Sequence, residues 1–229
     1  MPQAPNGSAH RRSKLFLALV LIALGLRFGL GAPAAAGESA GETLLRAVSG
    51  PFLALDTFQA GFEQTQHWVG MDEPAVSKGT LYLKRPNLFR IEYTEPKGHL
   101  QLSDGKTVWT YIPENGEVLK TILPEGQGGD LLRRILLESR PEAEVATAEV
   151  VGRPCKVLSL IPAEDLGLSR VRLWTPNGSN AILQYEIEDG SGNRSLFRLD
   201  HTRQNPTLKE TLFEFTPPTG VPVIEVGAP

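Results

Sequence analysis

The chain has few of the residues that build disulfide frameworks and metal centres. Cys155 is the single cysteine among 229 residues, so no intramolecular disulfide can form. It follows Pro154 in an apolar run, where a buried and unreactive thiol is expected. The four histidines show no ligand-like spacing to carboxylates or to Cys155. We therefore expect neither a structural disulfide nor a metal site.

Sequence motifs of hydrolysis and nucleotide binding are also missing. The chain has no Gly-x-Ser-x-Gly elbow, no phosphate-binding loop and no dinucleotide fingerprint. A glycine-rich stretch at 190–193 lies between two strand patterns and predicts a hairpin turn. We expect no catalytic residue and no cofactor. The alternative, a hydrolase on a β scaffold, would require two or more titratable groups that converge in a cavity.

A concentrated positive charge is absent as well. The formal net charge is −3, from 23 basic and 26 acidic side chains. Removal of residues 1–36, which contain four basic and no acidic side chains, would make it −7. Because phosphate backbones are bound by dense positive surfaces, we expect no nucleic-acid partner.

The N-terminal segment has the layout of a cleavable secretory signal. Basic residues between 11 and 14 precede an apolar run at 15–26, and three alanines at 34–36 offer a small-residue cleavage point. The apolar run is shorter than the roughly 20 residues of a membrane helix; an uncleaved anchor is the alternative. No cysteine follows the cleavage point, where a lipoprotein would be acylated. We expect residues 1–36 to be removed and residues 37–229 to form one soluble domain.

Two segments have the apolar spacing of amphipathic helices. The first extends from Glu42 to Leu55 behind a capping box of Ser39 and Glu42, and Gly50-Pro51 predicts a kink or a split within it. The second follows Asp130, which can act as its N-cap. The two faces of the second helix consist of Leu131, Leu132, Ile135 and Leu136 on the apolar side and Arg133, Arg134 and Glu138 on the other.

The rest of the chain alternates between apolar and polar residues, as β-strands do. Turn signals such as Asp104-Gly105 and Asn177-Gly178 separate the runs. The predicted strands lie at 58–65, 80–83, 88–93, 100–103, 107–111, 118–122, 145–151, 156–161, 169–175, 182–188, 195–201 and 213–215. We expect antiparallel pairing between chain neighbours, in a mainly β, α+β fold of eleven or twelve strands whose sheet curls strongly.

A curled sheet of this size has a concave face that the two helices must fill. Gly128 and Gly129 precede the second helix, so it is either a movable lid with hinges or a fixed plug. If the apolar strand faces turn inward, they line a hydrophobic cavity; the alternative for each residue is ordinary core packing. The predicted lining residues are Phe52, Phe58, Phe62, Leu81, Leu83, Phe89, Ile91, Tyr93, Trp109, Tyr111, Leu132, Ile135 and Leu136.

Four segments resemble the LolA family of periplasmic lipoprotein carriers. They are Phe58-x-Ala60-x-Phe62-x-Gln64, Gly79-x-Leu81-x-Leu83-Lys84-Arg85-Pro86-Asn87-Leu88-Phe89-Arg90, Ser103-Asp104-Gly105-Lys106-Thr107-Val108-Trp109-x-Tyr111 and Phe213-Glu214-Phe215-Thr216-Pro217-Pro218-x-Gly220-Val221. The segments follow the family order along nearly the whole predicted mature chain. The resemblance implies an incomplete antiparallel β-barrel of about eleven strands, with helices closing a cavity for the acyl chains of lipoproteins.

The resemblance also implies partners and a latch. Acylated lipoproteins would arrive from an inner-membrane lipoprotein-releasing ABC transporter and pass to the receptor LolB at the outer membrane. LolB-type proteins share the fold but carry a lipidated cysteine, which this chain lacks, so a monomeric periplasmic carrier is expected. A LolA-like carrier of another lipid, or a lipid sensor of envelope stress, is the alternative.

Arg85 is the expected latch residue. Pro86 forces an extended backbone at Arg85 and interrupts the strand, which places the guanidinium at a rim. By itself this pattern is typical of a solvated strand end. In the family that the chain resembles, the matching arginine hydrogen-bonds to the lid elements and keeps the empty cavity closed.

Overall fold

A computed structural model describes residues 37–123 and 131–226 of the chain. These residues form two α-helices, α1 (Ala40–Leu53) and α2 (Leu131–Glu138). The strands are β1 (Thr57–His67), β2 (Ala75–Lys84), β3 (Leu88–Glu95), β4 (Leu100–Asp104), β5 (Thr107–Ile112), β6 (Glu117–Ile122), β7 (Arg140–Val150), β8 (Arg153–Ile161), β9 (Leu168–Pro176), β10 (Gln184–Asp189), β11 (Arg194–Gln204) and β12 (Val223–Val226).

Three sequence predictions concern other parts of the chain. The signal segment at 1–36, the hinge glycines Gly128 and Gly129 and the helix cap Asp130 lie outside the described residues. Neither α1 nor α2 combines the length and the apolar character that a bilayer span requires.

All twelve strands belong to one open sheet. Their order is β12-β6-β5-β4-β3-β2-β1-β11-β10-β9-β8-β7, so β12 and β7 are the two edges. Neighbours pair antiparallel except β12, which lies parallel to β6. The pairing of β1 with both β2 and β11 joins the N-terminal and C-terminal halves. The predicted mainly β, α+β architecture with an unclosed sheet is confirmed.

Helix α1 begins as the sequence predicts and ends differently. The Ser39 amide donates to Glu42 Oε2 at 2.7 Å and the Glu42 amide donates to Ser39 Oγ at 3.2 Å, which confirms the capping box. The Ser39 hydroxyl also donates to Glu42 Oε2, at 2.9 Å, and these two bonds to the carboxylate lower the pKa of Glu42. The predicted split at Pro51 is wrong, because Pro51 lies in the last turn of a helix that continues to Leu53. Proline has no backbone N–H, so Pro51 removes one helical hydrogen bond, two residues before the helix ends at Leu53.

The first turn of α1 packs closely against the edge strand β7. Gly41 is buried, and a Cβ atom built on it would lie 1.8 Å from the carbonyl oxygen of Glu142. Only a residue without a side chain allows this approach. The contact holds the first turn of α1 against β7, one of the two edges of the sheet.

The end of the chain departs most from the prediction. The expected strand at 213–215 is wrong: Glu210–Phe213 form a 3-10 turn, and the final strand is β12, at Val223–Val226. Prolines at 206, 217, 218 and 222 remove backbone donors from this stretch, so it cannot extend the antiparallel ladder. Residues 205–222 instead cross one face of the sheet; we call this segment the outer cover.

The opposite face of the sheet is apolar across eight neighbouring strands, which in sheet order are β3, β2, β1, β11, β10, β9, β8 and β7. Direct cross-strand partners share a face, and the register Phe58↔Leu83 and Leu83↔Phe89 assigns these three side chains to the same side. Both helices pack on this side in one apolar cluster. We call it the inner face, and we call α1 and α2 together the inner cover.

Candidate functional site

The inner face brings together eleven of the thirteen predicted lining residues in one apolar cluster. Six are buried: Phe58, Phe62, Leu83, Leu132, Ile135 and Leu136. Five are partly buried: Phe52, Leu81, Phe89, Ile91 and Tyr93. Strands β1, β2 and β3 supply one wall, and α1 and α2 supply the side that faces it. The alternation along each strand, with a period of two, is what places these side chains on one face.

Trp109 and Tyr111 lie on the other face of the sheet. Phe89 pairs with Ser103, which pairs with Val108, so the next residue on β5 points away from the inner face. The ring of Phe215 in the outer cover packs on Trp109 at 5.6 Å and on Tyr111 at 6.5 Å between centroids. The prediction that these two rings line the inner side is therefore corrected: they anchor the outer cover.

Sequence reasoning missed the second wall of the cluster. Strands β8 to β11 contribute many of its buried residues, including Leu158, Leu160, Leu173 and Leu199. The strands were predicted, and their alternation was visible. Their contact with β1 to β3 depends on the pairing of β1 with β11, two strands from opposite ends of the described chain, which no local pattern specifies.

An aromatic group lies where the two walls meet. Phe62 makes edge contact with Tyr93 at 5.4 Å and a tilted contact with Phe197 at 6.4 Å, and Phe197 stacks on Tyr185 at 4.7 Å. Phe62 lies over its cross-strand partner Gly79, where a Cβ atom would come within 2.8 Å of the ring. Burial raises the pKa of Tyr93 to about 12, so its hydroxyl stays neutral near pH 7.

Helix α2 is tied to the sheet by an ion pair. Arg134 donates to Asp165, on the turn between β8 and β9, at 2.9 Å, and to Glu138 of its own helix at 2.8 Å. Hydrogen bonding to Glu138, with the charge of Asp165, raises the pKa of Arg134. This tie between helix and sheet has no counterpart in the sequence prediction, which placed Arg134 on the face of α2 opposite its apolar stripe.

Arg85 contacts the C-terminal end of α1. Its Nη2 atom lies 3.5 Å from the carbonyl oxygen of Phe52, at the outer limit of a hydrogen bond. Its backbone amide donates to the carbonyl of Asp56 at 2.9 Å. Helix α1 has no basic residue in its last turn, so Arg85 supplies the positive charge that the negative end of the helix dipole favours.

A small cleft separates Arg85 from the second helix. It holds about 30 Å³ of space, enough for one water molecule. Arg85, Lys84 and Arg133 lie at it together with apolar side chains such as Phe52 and Phe58. Typical ligand pockets are roughly ten times larger or more. The two helices therefore occupy this part of the inner face, and an acyl chain could enter only if they moved.

The site offers apolar surface and few reactive groups. Buried His99 contacts Tyr93 at its edge and lies 2.5 Å from Glu114 Oε2. The pKa of Glu114 is lowered by its own backbone amide and by His99. In the part of the chain that the structure describes, no three His, Cys, Asp or Glu side chains come together as a metal site would require. The arrangement suits the burial of an apolar ligand.

Comparison with protein families identifies the fold and its relatives. The family model described as "Outer membrane lipoprotein carrier protein LolA" matches residues 54–216. An outer-membrane lipoprotein carrier protein of Chromobacterium violaceum is 32% identical over 90% of this chain and 96% of its own length. One from Neisseria meningitidis serogroup B is 29% identical over 74% of this chain and 81% of its own length.

A solved structure shares the fold at low sequence identity. It is an uncharacterized conserved protein from Thermus thermophilus, with a TM-score of 0.52 and 13% identity. The match covers 82% of this chain and 99% of the other. At this identity the likeness concerns the fold alone.

Proposed function

The chain belongs to the LolA family, as its sequence motifs predicted, and we propose that it is a periplasmic carrier of acylated lipoproteins. The family is one of carriers, not of enzymes. The observation that carries the proposal is the inner face, where apolar residues from both halves of the sheet face two helices across one continuous cluster. This surface would hold acyl chains, and the eleven predicted residues found there would be their main contacts.

We propose that cargo moves in one direction between two membrane partners. Lipoproteins would be received from an inner-membrane ABC transporter and delivered to the receptor LolB at the outer membrane. Residues 1–36 would direct export and be removed, leaving a soluble acidic domain. The carrier would work as a monomer, because its apolar face is already covered by its own helices.

The size of the hydrophobic effect limits how such a carrier can work. Three acyl chains of about 15 methylenes each represent roughly 35 kcal/mol of transfer free energy, at about 0.8 kcal/mol per methylene. Non-covalent affinities saturate near about 20 kcal/mol. A carrier that also releases its load must offset part of this gain, and we propose that displacement of α1 and α2 from the inner face provides the offset.

Arg85 would hold the inner cover in place when the carrier is empty. Its contact with the Phe52 carbonyl joins the β2–β3 corner to α1. A charged hydrogen bond contributes roughly 1.5–3 kcal/mol when well formed, and this one is long. A contact of this strength can favour the closed arrangement and still be broken when an acyl chain enters.

One experiment tests the function directly. The protein, purified from a periplasmic extract under mild conditions, would be analysed by mass spectrometry for bound polypeptides and lipids. We expect acylated lipoproteins among the bound polypeptides, at about one per loaded carrier molecule. Free phospholipids or glycolipids without any lipoprotein would instead support a carrier of another lipid.

A substitution of Arg85 tests the latch. We expect Arg85→Leu to leave a folded protein that accepts lipoprotein but passes it to receptor-containing liposomes at least about tenfold more slowly, since a lost contact of about 1.4 kcal/mol corresponds to that factor. The matched control is Arg153→Leu, which removes an exposed arginine from β8. A normal transfer rate for Arg85→Leu would show that Arg85 does not control hand-over.

A further inference from the structure

Arg133 differs from three other partly buried arginines. Arg90, Arg134 and Arg172 each form an ion pair with a carboxylate: Glu92 at 2.6 Å, Asp165 at 2.9 Å and Glu186 at 2.5 Å. The Nη1 atom of Arg133 is buried and has no hydrogen-bond partner among the described residues. A buried donor without an acceptor is costly, so its presence in a native protein calls for an explanation, of which a bound ion or water is one.

The second unusual feature is the set of charged residues beside Arg133. Arg133 lies at the same small cleft as Arg85 and Lys84. The acidic residue that lines this cleft is Asp56, which is exposed to solvent. Lys84 is already paired with Glu210. Arg85 and Arg133 both line this cleft of about 30 Å³, and an anion between their guanidinium groups would offset the repulsion between their charges. A cluster of positive charge is therefore concentrated at one point of an acidic chain.

Apart from Thr57, the remaining residues that line the cleft are apolar. Phe52, Leu55, Phe58 and Leu83 lie on its inner side, and all four belong to the apolar cluster or pack on it. The cleft thus places a positively charged rim directly beside the surface proposed for acyl chains. An amphiphile with an anionic group at one end of an acyl chain has the matching distribution of charge and apolar surface.

We propose that Arg133 and Arg85 form a binding site for the anionic headgroup of an amphiphile, a carboxylate or a phosphate, whose acyl chain enters the inner face. Arg133 provides the unpaired donor, and Arg85 exchanges its long contact with the Phe52 carbonyl for a charged partner. This site rests on the proposed function in one respect, since it uses the same acyl surface. Its ligand is of another class, because the ester and amide groups that attach acyl chains to a lipoprotein are neutral.

Three probes of equal chain length test the site: laurate, dodecyl phosphate and dodecanol, each measured at pH 7 by displacement of an apolar fluorescent dye. We expect the wild-type protein to bind the better of the two anions at least about tenfold more tightly than dodecanol, as charged hydrogen bonds of this kind predict. A preference for laurate would identify a fatty-acid site, and a preference for dodecyl phosphate a phospholipid-type site. Equal affinity for all three would overturn the proposal.

Substitutions of Arg133 on α2 test whether this residue causes the preference for anionic probes. Arg133→Met should lose most of the preference for the anion while keeping its affinity for dodecanol, and Arg133→Lys should retain part of the preference. Arg140→Met, which removes an exposed arginine just after α2, should behave as wild type. An unchanged preference in a folded Arg133→Met variant would also overturn the assignment.

The same measurements separate this site from the proposed function. If dodecanol binds but the anions bind no more tightly, the headgroup site is wrong and the acyl surface stands. If none of the three amphiphiles binds, the acyl surface itself is wrong. Dodecanol binding by Arg133→Met, together with its circular dichroism spectrum, reports whether the variant is folded.

Discussion

The inner and outer covers lie on the same sheet and are held to it in different ways. The outer cover is fixed by hydrogen bonds to its backbone carbonyls. Arg90 Nη1 donates to the Leu212 carbonyl at 3.1 Å, and the Val118 amide donates to the Pro222 carbonyl at 2.9 Å. The chain then continues into β12, which pairs with the sheet. Among the described residues, the polar ties we find for the inner cover are the long Arg85 contact and the Arg134–Asp165 pair. Most of its attachment is apolar packing.

Under the proposed function, the difference predicts which cover a lipid displaces. Apolar burial is non-directional and depends on area, so an acyl chain can replace a helix against the inner face with little net change. A backbone hydrogen bond has no substitute in an acyl chain, and breaking it leaves a donor or an acceptor unpaired. The outer cover should therefore stay in place while the inner cover moves.

The largest effect is expected from the outer cover, as a loss of stability without a loss of function. Phe213 is buried in the 3-10 turn of this cover, with 3% of its surface exposed. We expect Phe213→Ala to lower the free energy of unfolding by about 3–5 kcal/mol, measured by urea denaturation. Cargo transfer by the folded fraction should be unchanged.

A control in the same region sharpens that result. Val223→Ala changes an exposed residue of β12 and should cost less than about 0.5 kcal/mol. If folded Phe213→Ala transfers cargo more slowly than this control, the outer cover also takes part in cargo handling and the contrast between the covers fails.

An intermediate effect is expected on the inner face. Phe89→Glu would place a carboxylate in the apolar cluster, where burial without a partner is costly. We expect binding of lipoprotein or of an acyl probe to weaken at least about tenfold, measured by dye displacement. Tyr82→Glu is the matched control, because Tyr82 pairs with Arg90 on the opposite face of the same hairpin. Equal weakening in both variants would show that the charge acts on stability, not on the acyl surface.

The smallest effect is expected from the tie on α2. Arg134 and Asp165 are 26% and 37% exposed, so solvent screens the pair and its contribution is about 0.2–1 kcal/mol. A weaker tie favours the open, loaded arrangement, as proposed for Arg85, so we expect Asp165→Asn to slow the release of bound dye about two- to fivefold, measured by stopped flow at low salt. The difference should disappear at high salt.

The control for this pair lies on the other helix. Glu38→Gln removes the Arg46–Glu38 pair, which joins α1 to its own leading residues and not to the sheet. It should leave the release of dye unchanged. Faster release from Asp165→Asn would mean that the pair favours opening, which would contradict its role in holding the inner cover closed.

Sequence patterns predicted most of the local structure. The capping box of α1, the stripe of α2 and the alternation in β1 and β3 were confirmed, because each depends on neighbours within a few residues. The errors have physical causes as well. Pro51 was expected to break α1, but it lies in the last turn of that helix. The apolar spacing at 213–215 suggested a strand, which the nearby prolines prevent.

The site was predicted less completely than the fold. Alternation shows that Trp109 and Tyr111 share a face, but it cannot say which face, since both sides of β5 are covered. The position of Arg133 in the α2 sequence placed it opposite the apolar stripe, and in the folded chain it lies at a cleft shared with Arg85 and the end of α1, which no local pattern indicates. Both facts depend on elements that are distant in sequence.

What the sequence alone determined is the set of strands and helices, the apolar surface available to them and the family to which they belong. Those follow from periodicity, capping and turn chemistry, which act over a few residues. The tertiary structure decided which face became the inner one, which helix end meets Arg85 and which arginine remains unpaired. Long-range strand pairing brings these groups together, and its outcome depends on the packing of the entire sheet.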